Sequence, residues 1–145
     1  MIKYVFAFST VALVAACGPQ YNFYEKPSAW TPETRAEFAQ QRPASKCAIL
    51  LNATKAAGAD RASIFSEISK LGLNRRDLEI LKDPEHIYGT GMSYRGLECA
   101  AGGKLNPNKS FYQGVGHRWQ VPFGSGFVYL EGNGTERGMR VTAWN

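Results

Sequence analysis

Three cysteines, Cys17, Cys47 and Cys99, and two histidines, His86 and His117, are the side chains of this 145-residue chain best suited to soft-metal ligation or thiol chemistry. Their spacing suits neither. No C-x-x-C or H-x-x-x-H occurs, so a zinc set would have to combine His86 and His117 with two distant cysteines. A thiol enzyme using Cys99 with His117 as base needs an accessible thiolate, whereas the small helical neighbours Ala100 and Ala101 point to burial. Phe123-Gly124-Ser125-Gly126 falls short of a nucleophile elbow, because Pro122 and Phe123 stand in the wrong places; Ser125 reads as a turn residue. Gly89-Thr90-Gly91 and Gly114-Val115-Gly116 complete no phosphate-binding fingerprint and read as backbone bends. The expectation is a chain with no catalytic residues, no cofactor and no metal.

Cys17 invites a different chemistry. Lys3 supplies a positive start, Tyr4 to Leu13 an apolar stretch too short to span a bilayer, and Val14-Ala15-Ala16 the small residues before a cleavage point. The stretch resembles a bacterial lipoprotein cleavage and acylation box, which implies that residues 1–16 are removed and that Cys17 becomes a lipidated first residue. An ordinary secretory signal that happens to contain a cysteine is the alternative. Gly18, where an aspartate would resemble an inner-membrane retention signal, favours the outer membrane, with the protein lipid-anchored and facing the periplasm. Removing 16 residues leaves 129, enough for one core and too few for two. The chain is mildly basic, at +5 overall. In an exported protein this excludes nucleic acid as a natural partner, and leaves either a solvated face or attraction to anionic headgroups, about 1 kcal/mol per nearby basic residue.

With Cys17 given to lipid, Cys47 and Cys99 remain in a compartment that keeps disulfides oxidised. A bridge between them would close a loop of about fifty residues and stabilise the fold by roughly 4 kcal/mol. Two buried free thiols are the alternative.

The elements that would position these residues fall into two halves. Residues 17–44 mix four prolines with scattered aromatics and read as a lipidated tether, with Thr31-Pro32-Glu33 starting a short helix to Gln41. Tyr21, Phe23, Tyr24 and Trp30 either pack back on the domain, lie at the lipid interface or meet a partner. A single domain over 45–145 then opens with a helical part (45–84): Ser45 caps a helix from Lys46 to Ala57, Asp60 one carrying Ile64, Ile68 and Leu71, and Asn74 one from Arg75 to Lys82. From residue 85 onward Ser93 caps a helix from Tyr94 to Ala101, ended by Gly102-Gly103. Alternating strands follow at Val115–Val121, Gly126–Glu131 and Met139–Trp144, with Met139, Val141 and Ala143 on one face of the last and Arg140, Thr142 and Trp144 on the other. The expected fold is α+β: short N-terminal helices, then a helix and a three-stranded antiparallel meander.

Within residues 87–145, Gly91-Met92-Ser93 before a helix, Gly102 after it, Asn108-Lys109-Ser110, Arg118-Trp119-Gln120-Val121, Phe127-Val128-Tyr129-Leu130 with Gly132-Asn133-Gly134, and Val141-Thr142-Ala143-Trp144-Asn145 occur in order. This part resembles the SmpA/BamE-like superfamily of small bacterial outer-membrane lipoproteins. Lys104 stands where that family has proline, Thr135 to Arg140 lengthens the last hairpin, and the Cys47/Cys99 pair is not a feature of its outer-membrane assembly component, so the resemblance is to the wider superfamily. The resemblance implies a scaffold or docking lipoprotein without catalysis. A helix-covered meander buries only about half of its aromatics, so Trp119, Tyr129 and Trp144 are expected to form an interaction surface; a purely core role for the sheet aromatics is the alternative. The partner is expected to be another envelope protein; the alternative is envelope material such as peptidoglycan or lipid.

Overall fold

The computed structural model describes residue 23 and residues 25–145. Cys17, the segment 1–16, Tyr21 and Tyr24 lie outside the described residues. Five α-helices precede a four-stranded antiparallel sheet: α1 (Pro32–Gln40), α2 (Pro43–Ala53), α3 (Arg61–Ser69), α4 (Arg75–Lys82), α5 (Tyr94–Ala101), β1 (Asn108–Tyr112), β2 (Gly116–Phe123), β3 (Gly126–Gly132) and β4 (Arg140–Trp144). The class is α+β, as expected. No helix among the described residues is long and apolar enough to cross a membrane.

Four of the five α-helices start where a short polar side chain satisfies a first-turn amide. Thr31, Asp60, Asn74 and Ser93 accept hydrogen bonds from the backbone N–H groups of Thr34, Ser63, Asp77 and Gly96. α2 departs from expectation at both ends. It begins at Pro43, whose fixed φ suits a first helical position, rather than after Ser45, and it ends at Ala53, where the Thr54 hydroxyl turns back to donate to the Leu51 carbonyl. Before α1, a 3-10 turn at Pro27–Ala29 delivers Trp30 into the core at 7% exposure, against Phe38 at 4.9 Å and Phe23 at 5.7 Å between ring centres. Its indole N–H donates to the Glu25 carbonyl. This end of the expected tether therefore packs back on the domain.

The sheet is a meander in the order β1-β2-β3-β4. One strand more is present than the alternation indicated. β1 is an edge strand with no buried residue, so its sequence Asn-Lys-Ser-Phe-Tyr carries no apolar alternation to read; it is held by pairing with β2, Lys109 opposite Trp119. No strand pairs with its outer side among the described residues. At the other edge, the segment leading into α5 partly covers β4: the amides of Gly91 and Val141 donate to the Val141 and Met92 carbonyls, at 2.8 Å each.

The inner sheet face carries Trp119, Val121, Val128, Leu130 and Val141, all at most 1% exposed. They share one core with Met92, Tyr94 and Leu97 around α5 and with Cys47 and Leu50 of α2. Tyr94 meets Trp119 edge to face at 5.1 Å and donates its hydroxyl to the Leu105 carbonyl. Burial pushes the Tyr94 phenol well above its ordinary range.

Candidate functional site

Cys47 and Cys99 are joined in a disulfide that ties α2 to α5 across 52 positions, each cysteine 1% exposed. With both sulfurs so bonded, neither is a thiolate for metal or nucleophilic chemistry in this state. The histidines occupy separate surroundings. His86 pairs with Asp83 at 2.8 Å in the loop after α4, and the ring of His117 on β2 meets that of Phe111 at a tilt, 5.0 Å between centres. Hydrogen bonding to the Glu85 amide, then to His86, holds the Asp83 carboxyl below its usual range. Ser125 lies in the two-residue turn between β2 and β3, where Gly124 takes φ +61°. Among the described residues no group of three or more His, Cys, Asp or Glu side chains converges.

The three aromatics expected to share a docking surface are distributed over different environments. Trp119 is a core residue at 1% exposure, with the Lys109 ammonium 4.3 Å from its ring centre. Tyr129 lies on the opposite face, because register sets Trp119 against Leu130 and Gln120 against Tyr129, and residues paired across strands share a face. Trp144 departs from strand parity. A bulge sets Tyr129 against Ala143 but Leu130 against Val141, which leaves Thr142 as the extra residue. Beyond it the faces exchange, so Trp144 lies opposite Val128, on the inner side. There it is 48% exposed and meets Tyr88 edge to face at 5.4 Å. Each strand's own alternation is readable from sequence; cross-strand register and the bulge are not.

What remains on the outer face is nevertheless aromatic. Phe127, 40% exposed and opposite Pro122, adjoins half-buried Tyr129, and Tyr112 stands 51% exposed near the end of β1. The Arg118 guanidinium lies 5.5 Å from the Tyr129 ring centre and pairs with Glu131 at 3.3 Å. Pro122, Thr142 and Ala143 are exposed beside them. This is an apolar patch with one ion pair and open access.

One organising residue carried no recognisable sequence signal beyond a capping pattern. Asp77, fully buried, accepts from the Asn74 amide as the third residue of α4 and also from the Ser93 amide and hydroxyl, at 2.7 Å each. Ser93 in turn accepts from the Gly96 amide. One carboxylate thus serves the N-termini of α4 and α5, where the helix dipoles favour negative charge. A Cβ on Gly96 would stand 2.6 Å from Asp77 Oδ1, so only glycine lets α5 approach this closely.

No protein-family model matches this chain, and neither a curated protein nor a solved structure matches it.

Proposed function

We propose that this chain is a non-catalytic, lipid-anchored lipoprotein of the outer membrane that docks another envelope protein through the open face of its sheet. The observation that carries the docking is the outer face itself: Phe127 and Tyr129 stand exposed or half-exposed on a sheet whose other face is filled by the core, beside the Arg118–Glu131 pair. Aromatics and arginine are the side chains that most often dominate protein interfaces. The anchor rests on the sequence around Cys17, and the SmpA/BamE-like resemblance of residues 87–145 supports the scaffold reading.

The test is a photo-crosslinking residue at position 127, with position 66 on α3 as control, in the protein's own membranes. Protein adducts at 127 and none at 66 are expected. Sedimentation with purified cell wall, without adducts, would replace this reading by binding to peptidoglycan. Mass spectrometry of the mature N-terminus is expected to find Cys17 acylated; an unmodified Cys17 would remove the anchor.

A further inference from the structure

Two cavities meet on the side of the molecule formed by α2, the loop between α3 and α4, α5 and the loop before β4, and they share Arg95 and Glu136. The first, about 280 Å³, has an apolar lining from the Cys47–Cys99 disulfide, Pro43, Leu71 and Leu73, with Arg42 and Lys104 also on its wall. The second, about 320 Å³, is lined by Arg137 and Arg140 together with the capping residues Asn74 and Ser93. The first falls just short of, and the second just inside, the roughly 300–1,000 Å³ range of small-ligand sites.

The groove holds five side-chain cations, Arg42, Arg95, Lys104, Arg137 and Arg140, against two carboxylates, Glu98 and Glu136. Among the described residues none of the five lies within ion-pair distance of a carboxylate. Glu98 is engaged by the Leu105 amide. Arg140 is fixed through Nη1, which donates to the Arg137 and Met139 carbonyls, and this leaves the rest of its fork uncommitted. Half-buried Arg95 lies at the junction beside Gly72, where a Cβ would come within 3.2 Å of Nη1; the glycine keeps the room that the guanidinium occupies.

We propose that this groove binds an amphipathic organic anion, its charged head on Arg95, Arg137 and Arg140 and its apolar body over the disulfide, Leu71 and Leu73. Guanidinium groups match phosphate and carboxylate geometry, and apolar wall beside them selects a head that carries hydrocarbon. The site is separate from the outer sheet face and does not depend on it.

The full chain in phosphatidylcholine nanodiscs is titrated with hexyl phosphate, inorganic phosphate and hexanol, while NMR follows the Arg95 side-chain N–H and the Leu71 and Leu73 methyl groups. Hexyl phosphate is expected to saturate all three signals and to bind at least about tenfold more tightly than either fragment. Arg95→Gln and Arg137→Gln are each expected to weaken it roughly tenfold with the spectrum otherwise folded. Arg137 is exposed, so its variant carries the test if Arg95→Gln fails to fold. Hexyl phosphate binding no tighter than hexanol, or unchanged in both variants, would overturn the proposal. Exchanging the disc lipid for phosphatidylglycerol identifies the source: competition assigns the head to bilayer phospholipid and its absence to a soluble amphiphile.

Discussion

Asp77 bonds the N-termini of α4 and α5 together through one buried side chain. Replacing it by alanine would leave the Ser93 and Asn74 donors unpaired in the interior, and Asp77→Ala is expected to destabilise the fold by about 3 kcal/mol in urea unfolding. Gly96→Ala is expected to destabilise as well, because its new methyl group would press on the carboxylate. The two changes should not add: with the carboxylate gone, the methyl group gains space, so the double variant is expected to lose less than the two single losses together. Trp119→Ala is expected to cost 3–5 kcal/mol, roughly the range for large aromatic truncations in a core, whereas Tyr129→Ala should leave the melting temperature nearly unchanged. Four of the five expected caps, Thr31, Asp60, Asn74 and Ser93, are found because a cap is local, as Asn74 and Asp77 three positions apart show; Ser45 is not one, since Pro43 already starts α2. Sequence reading missed the bond from Asp77 to Ser93 because that link spans sixteen positions and depends on how α4 meets α5.

At the scale of elements, the disulfide links the two halves that were distinguished by composition. Reduction, or the Cys47→Ala/Cys99→Ala variant, is expected to lower stability by about 4 kcal/mol on the chain-entropy account. Thiol labelling of the denatured, unreduced protein checks the bond itself, and no reactive thiol from positions 47 and 99 is expected. α3 gives a pH signature. Hydrogen bonds from the Ser63 side chain, then its amide, lower the Asp60 carboxyl below 3.8 in the folded chain. A lowered carboxylate stabilises the fold fully above its unfolded value and loses that effect as pH falls through the folded one. Thermal melts should therefore weaken as pH drops below 3.8, and Asp60→Asn, which keeps a capping oxygen, should reduce the drop. Helix existence was readable here from caps and apolar spacing. β1 was not, because an edge strand that buries nothing leaves no pattern, and Trp144 changed faces because a bulge is a property of two strands rather than one.

Taken whole, the molecule places an aromatic sheet face on one surface and a basic, disulfide-floored groove on another, around a core that excludes Trp144 but includes Trp30 and Trp119. The docking reading has its own measure. Tyr129→Ala is expected to reduce recovery of the partner roughly thirtyfold, the equivalent of about 2 kcal/mol, without loss of stability. An equal fall in melting temperature would make Tyr129 a structural residue. Fold class followed from the sequence because every helical segment, the last ending at Ala101, precedes the alternating ones. Which aromatics face outward did not, since that is decided by pairing across strands.

The meander also ends unevenly, and solubility follows from that. The backbone before α5 shields part of β4, whereas among the described residues no strand pairs with the outer amides and carbonyls of β1, along which Phe111 is 66% and Tyr112 51% exposed. Edge strands are commonly guarded by a projecting lysine. Here the exposed Lys109 places its ammonium over the Trp119 ring, on the inner face of the sheet rather than along the edge. Concentrated protein is therefore expected to grow by strand addition at β1 into ordered aggregates, and Phe111→Lys should raise the concentration at which light scattering first increases.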